Sequence, residues 1–445
     1  MTAYDQSQQN QSEFQKLQSR LQTQWHSLDA LVDSDSDSDI LVVPSLSLDR
    51  EELAKVEGAI HYEERLLFSL MRLRNPRTRL IYVTSQPLSP TAIDYYLQLL
   101  PGIPFSHARE RLLLFSTDDY SLQPLTQKIL DRPRLLNRIK QALRPDRSLA
   151  ICYNSTGLER ELALKLDIPL YALDPDLLHW GTKAGSRQIF AECGLPHPDG
   201  SELVFNDRDL AEVAAQLWER QPQLLRLVVK LNEGFSGEGN AILDLRFLDT
   251  PSSHANRVQI ISKTFSSLRF QGHNETWTKF QAKISHLGAI VEAFVEGEGK
   301  QSPSVQGCIT PTGVVEILST HDQILGGNDG QIFLGCQFPA AEGYRRQLQD
   351  LGLEIGKNLA AKGAIERFGV DFIAVPTTDG KWDLHAIEIN LRKGGTTHPF
   401  MTLKFLTNGY YQLDDGLFYS QQGKPKYYVA SDNLQHPDYR GLLPH

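Results

Sequence analysis

FGVDFIAVPTTDGKWDLHAIEINLRKGG, residues 368–395, is the stretch whose reading decides the fold. Apolar residues alternate with polar or small ones in FIAV and again in LHAIEIN, the period-2 pattern of two half-buried strands. Thr377-Thr378-Asp379-Gly380 between them has turn chemistry, so a β-hairpin is expected. With that tetrapeptide as the loop, Asp371 faces Ala386 and lies diagonal to Glu388, and alternation sets Asp371, Glu388 and Asn390 on one face. Two carboxylates and an amide oxygen side by side repel one another unless a hard cation sits among them. Mg²⁺ is held in this way, by a few carboxylates together with substrate phosphates. A solvated polar face on an amphipathic hairpin accounts for the same pattern, and the hairpin alone leaves both readings open.

Upstream, residues 182–193 carry a helical pattern, with Gly194 suited to the position after its end and Pro196 just beyond. Lys183 lies in its first turn, where the helix dipole disfavours a cation unless an anion is near, although a surface lysine on a mobile stem fits too. The strand LLRLVVKLN then carries Lys230 into Glu233-Gly234-Phe235-Ser236-Gly237-Glu238-Gly239-Asn240, and AILDL resumes as a second strand. Closely spaced glycines let backbone N–H groups approach and cover phosphates; ordinary hairpins use glycine as well. A further strand, residues 289–295, leads to Glu296-Gly297-Glu298, and Glu292, Phe294 and Glu298 could line an adenine and ribose slot. Gly299-Lys300 lacks the Ser/Thr, the glycine spacing and the strand-to-helix context of a P-loop. His321-Asp322 admits an acid–base role or that of a satisfied structural histidine.

The amino-terminal third reads differently. Residues 1 to about 25 look weakly helical, and a DSDSDSD run at 33–39 favours a solvated linker. ILVVPSLSLD, RLIYVTSQPLSP, RLLLFST and SLAICYNST are short β-branched runs separated by helical stretches, so 40–170 is expected to be an open α/β sheet. Neither GxGxxG nor a Walker A motif follows any of these strands, which leaves a Rossmann dinucleotide site unsupported.

A chain of 445 residues exceeds one ordinary core. With 45 Lys and Arg against 54 Asp and Glu, the net charge is −9 without a basic stripe, which argues against nucleic acid as a partner. Cys152, Cys193, Cys308 and Cys336 have no metal-ligand spacing and read as reduced thiols. Without a leader-like start or a long apolar run, a cytoplasmic protein with no membrane contact is expected.

In their order, a helical Lys, a strand Lys with its glycine-rich loop, the VEAFVEGE stretch and a terminal D…ExNxR, these pieces resemble the ATP-grasp superfamily over roughly residues 174–397. The resemblance implies a multidomain α/β and α+β fold: arm and linker over 1–39, an α/β pre-ATP-grasp domain over 40–170, an ATP-grasp domain over 171–400 and a C-terminal flap over 401–445. The grasp would divide into a nucleotide-covering subdomain, 171–295, and a metal-binding one, 296–400. It implies that Lys183 and Lys230 contact ATP phosphates, that the loop with Gly234, Ser236, Gly237 and Gly239 closes over them, and that Glu292, Phe294 and Glu298 hold adenine and ribose. Asp371, Glu388 and Asn390 would bind Mg²⁺, and Arg392 would steady an acyl phosphate. IEINLRKGGTTHPF, KLNEGFSGEGN and YYVASDNL are, within the superfamily, similar to pheganomycin-type peptide ligases. Some ligases carry an Arg where this chain has Gly369, so oxyanion support falls to Arg392 or Lys393. The implied activity is ATP- and Mg²⁺-dependent joining of a small-molecule carboxylate to an amine, an amino acid or peptide, with Thr396, Thr397 and His398 at the substrate end. An ATP-grasp kinase and an inactive ATP-binding module are the alternatives, and a homodimer is the commonest prior.

Overall fold

The computed structural model describes residues 3–28, 37–48, 50–56, 58–144, 146–234, 239–248, 253–272, 275–327, 330–431, 434 and 436–442. The first unit is a four-stranded parallel sheet, β1 (Ser38–Val43), β2 (Thr78–Thr84), β3 (Leu112–Ser116) and β4 (Ser148–Cys152), in the order β3-β2-β1-β4. Of its central strands, β1 is buried throughout and β2 everywhere but at Arg79, as their continuous apolar runs require. The polar arm expected over 1–39 differs in part. Helix Ala3–Leu28 buries Phe14 and Leu17 in the core with Leu41, Val43 and Ile81, and the Gln18 side chain bonds both N–H and C=O of Leu170 at 2.8 Å. The acidic run also ends inside the fold. β1 starts at Ser38, and Asp39 is fully buried between Arg79, at 2.9 Å through both of its oxygens, and Arg144, at 2.7 Å. Paired guanidinium groups replace the water such a carboxylate loses.

The second unit is an antiparallel sheet of β5 (Arg226–Leu231), β6 (Asn240–Asp244), β7 (Arg269–Phe270) and β8 (Ala289–Ala293), ordered β7-β6-β5-β8 and covered by helices Asp207–Arg220, His254–Thr264 and Trp277–Leu287. The third is built on β9 (Pro303–Ile309), β10 (Val315–Gly326), β11 (Ile332–Phe338), β12 (Glu366–Pro376) and β13 (Trp382–Asn390). Helices Lys183–Glu192 and Glu342–Ala361 pack on one face of it, burying Ile189, Phe190, Leu348 and Ile355 against Phe368 and Val370. The long helix lies close enough that a Cβ on Gly352 would come 2.7 Å from Val305 Cγ1.

The C-terminal stretch expected to be a flap is tied in instead. Helix Thr397–Thr407 buries Phe405 in the core of the first unit, and β14 (Tyr410–Gln412), β15 (Leu417–Tyr419) and β16 (Pro425–Lys426) form a small sheet. β17 (Tyr428–Ser431) then pairs with β11 at the edge of the third sheet, whose order is β13-β12-β9-β10-β11-β17. Tyr428 explains His321. The ring is fully buried among Phe338, Phe400 and Tyr428, with Nε2 2.8 Å from the Tyr428 hydroxyl, and burial pushes its pKa down to about 3. His321 does not line the cavity walled by β12 and β13, as a structural histidine would not, but it is only half satisfied: among the described residues its Nδ1 has no hydrogen-bond partner. Among the described residues all four cysteines are free, and no helix is long and apolar enough to cross a membrane.

Candidate active site

The hairpin β12–β13 forms, but in a different register from the expected one. Asp371 stands directly opposite Glu388, not Ala386, because a β-bulge interrupts the pairing between Asp371 and Phe372. Burial shows what the bulge does. Leu384 and Ala386 face the core, Ile387 and Glu388 both face outward, and Ile389 returns to the core. Leu384, Ala386, Glu388 and Asn390 share one parity, so uninterrupted alternation would have turned Glu388 into the apolar layer. The extra residue re-aims it toward Asp371, a use of bulges common beside active sites.

Asp371 accepts from Gln323 Nε2 at 2.7 Å and meets the Asn390 amide at 3.2 Å. Burial and then the neighbouring Glu388 carboxylate push its pKa up to about 7. Lys183 is buried at the start of helix Lys183–Glu192 and donates to Glu388 Oε1 at 2.6 Å. Three bonds fix that helix. Lys183 N and Ala184 N donate to the backbone and side-chain oxygens of Asn232, each at 3.0 Å, and Ile389 N donates to Ser186 Oγ at 3.0 Å. The helix start therefore joins the end of β5 to the hairpin.

On the second sheet, Lys230 and Glu292 are buried and paired, and Glu292 also takes Arg187 Nη1 at 3.1 Å. Burial raises the pKa of Glu292, yet Lys230 and Arg187 outweigh it and hold the carboxyl below its ordinary value. Phe294 lies under Arg226, 3.8 Å from its ring centre, and Lys300, at 4.1 Å. Gly234 and Gly239 stand at the two ends of the glycine-rich loop; Ser236 and Gly237 fall outside the described residues.

One cavity of about 650 Å³ has Lys230, Glu292, Phe294, Asp371, Glu388, Asn390, Arg392 and Thr396 in its walls; Lys183 reaches it only through Glu388. Seven expected residues among the described ones, Lys183, Gly234, Gly239, Glu298, Lys393, Thr397 and His398, are not in its lining. Glu298 is exposed on the turn after β8, while Val295 and Lys300 face the cavity. Lys393 is buried with Nζ 2.7 Å from Cys152 O and 2.9 Å from Glu366, which anchors it to the end of β4. Thr397 Oγ1 accepts from Gly394 N at 3.0 Å and meets Gln306 at 3.4 Å. His398 is mostly buried, and burial followed by the charge of Arg65 lowers its pKa to about 4. Residues absent from the sequence reading complete the walls: Gln323, and from the first unit Tyr62, Arg65 and Tyr153. Their positions depend on contacts between distant segments, for which the sequence carries no local signal. Among the described residues no three His, Cys, Asp or Glu side chains cluster as a self-sufficient metal cage.

A family model described as IQCH-like, ATP-grasp matches residues 177–271 and 253–414. The chain is 29% identical to an L-propargylglycine–L-glutamate ligase of Streptantibioticus cattleyicolor over 85% of its own length and 76% of the relative's. It is 23% identical to IQ motif-containing protein H of Danio rerio over 75% of its length, but spans only 35% of that longer protein. Among solved structures, a biotin carboxylase from Campylobacter jejuni in a β-γ-ATP complex superposes with a TM-score of 0.53 at 14% identity, covering 85% of this chain and 69% of the other. The biotin carboxylase domain of a Hydrogenobacter thermophilus 2-oxoglutarate carboxylase gives 0.51 at 13% identity over 89% and 74%. At these identities the structural likeness shows the fold.

Proposed function

The chain belongs to the IQCH-like ATP-grasp family, and from that premise we propose an ATP- and Mg²⁺-dependent ligase that joins a carboxylate to an amine, forming an amino-acid or peptide amide. One observation carries the reading. The bulge of β13 brings Glu388 against Asp371 and Asn390 in the wall of the cavity that Lys230 and Arg392 also line. Joining of two amino acids, as in the name of the Streptantibioticus cattleyicolor relative, fits a cavity of this size.

The residues fit a hard cation. Two facing carboxylates, one with a pKa raised by burial and then by the other, and an amide form an oxygen set short of a full shell, which suits Mg²⁺ shared with phosphates. Bound there, Mg²⁺ would neutralise charge developing on the transferred phosphoryl group. The protein's own part is positioning and charge. Lys230 would receive phosphate oxygens, with Glu292, itself held by Arg187, fixing its ammonium, and the backbone beside Phe294 would meet the base. Arg392 would hold the substrate carboxylate while one of its oxygens attacks the γ-phosphorus and ADP leaves. The amine then attacks the acyl carbon and phosphate departs. Phosphoryl transfer asks for geometry and neutralisation, which a site without a nucleophile can supply.

The test is a screen of paired amino acids and short peptides for stimulated ADP and phosphate release, with mass spectrometry of products. A ligase releases both only when carboxylate and amine are present. A phosphorylated product without free phosphate would replace the ligase by a kinase.

A further inference from the structure

Part of the cavity wall comes from the first unit, and no part of the phosphate chemistry described above uses it. Tyr62 and Arg65 come from the helical segment Ala59–Arg74, and Tyr153 follows β4. The Arg65 guanidinium lies over the Tyr62 ring, 3.8 Å from its centre, and Tyr153 meets Tyr62 edge to face with centroids 6.5 Å apart. Stacking on a braced ring restricts the guanidinium plane, and a planar N–H fork is the geometry suited to a planar carboxylate. Arg65 also stands beside the exit of the hairpin, since its charge is felt at His398, two residues from Thr396. Lys55 and Glu52 in the same wall pair with each other and add no net charge.

We propose that this wall binds a non-reacting carboxylate of an amino-acid substrate through Arg65 held on Tyr62, while Arg392 meets the carboxylate that reacts. The inference rests on the ligase reading and names its substrate class: amino acids or peptides with a free carboxylate besides the reacting group. An aliphatic amine or a fully amidated peptide lacks the group that the wall recognises. Arg65 is a binding residue here and takes no part in the phosphoryl transfer.

Equilibrium binding of L-glutamate, L-glutamine and L-isoglutamine is measured by calorimetry with the full chain, in the presence of MgADP, for wild type, Arg65→Met and Arg65→Lys. The expected result is that at least one amide replacement weakens binding to the wild type about tenfold or more, the scale of a charge-assisted bidentate contact. Arg65→Met loses the preference against the amide of the non-reacting carboxylate, while any preference set by Arg392 persists, and Arg65→Lys regains part of the difference by charge alone. Unchanged MgADP affinity and unfolding temperature show that the variants are folded. Equal binding of acid and amides by the wild type, no binding of L-glutamate, or an undiminished preference in Arg65→Met overturns the proposal. Arg65-dependent binding of L-glutamate without any product in the paired screen would leave this inference standing and defeat the ligase reading alone.

Discussion

Removing one member of the Lys230–Glu292 pair should cost far more than removing both. Glu292 is 2% exposed and Lys230 5% exposed, and Glu292 is the one ion-pair partner of Lys230 among the described residues. Glu292→Gln strands that ammonium and, among the described residues, leaves Arg187 with the Pro198 carbonyl, at 2.7 Å, as its remaining hydrogen-bond partner. Breaking a buried pair in this way costs roughly 3–5 kcal/mol, because the surviving charge stays desolvated. For a cooperative unit of 150–250 residues each kcal/mol moves the midpoint by about 2–4 °C, so the thermal transition should fall by roughly 6–20 °C. Lys230→Met should fall comparably. In Lys230→Met/Glu292→Gln the two neutral side chains fill nearly the original volume, and more than half of the loss should return. Scanning calorimetry of the four proteins reads the cycle, and calorimetric titration with ATP separates function from fold: the double variant regains stability without regaining nucleotide affinity. A double variant that loses the sum of the two single losses would show that the charges are uncoupled, and the pairing argument would fail.

Glu388→Ala should abolish ADP release, by about 10³-fold or more, with little change in the circular dichroism spectrum; undiminished release would remove Glu388 from the metal set. His321 and His398, with pKa values of about 3 and 4, stay neutral in the fold while their unfolded counterparts protonate near 6.5. Stability contributed by the neutral rings is therefore full above about pH 6.5 and lost as pH falls toward 4. His321→Gln should flatten the stability–pH slope between pH 5.5 and 4.5 by about 1.4 kcal/mol per unit, and an unchanged slope in urea titrations would contradict the assignment. Gly185→Ala sets a Cβ 2.0 Å from the His179 carbonyl oxygen, so it should cost about 1–3 kcal/mol and lower turnover by displacing Lys183; a stable, fully active variant would show that the helix start tolerates movement.

The hairpin was legible because period-2 alternation is a local property, and so were the two lysines that flank the glycine-rich loop and open the helix. Its register was not. Leu384, Ala386, Glu388 and Asn390 have the same parity, and only the pairing with β12 shows that one extra residue separates the apolar pair from the polar pair. Beyond the hairpin, Arg392, Lys393, Thr396, Thr397 and His398 look alike as polar residues after a strand. Their fates divide by packing: Arg392 and Thr396 reach the cavity, while Lys393 and Thr397 are consumed by backbone and Gln306. Asp39 looked like the end of a solvated run because its two guanidinium partners lie 40 and 105 positions away. The same distance in sequence hid Tyr62 and Arg65.

Lys393 carries a consequence for how such an enzyme can change. Its ammonium is bolted to the end of β4, and the next residue back, Arg392, faces the hairpin cavity, so a single peptide bond ties the two halves of the active centre into one jig. Substitutions in the Tyr62–Arg65 wall can redraw which acids are accepted while the phosphate side keeps its alignment, giving new tastes at little loss of speed. Loosening the Lys393 anchor has the opposite outcome. Both halves lose their common datum together, and the product is a slower, less discriminating catalyst rather than one with a new preference.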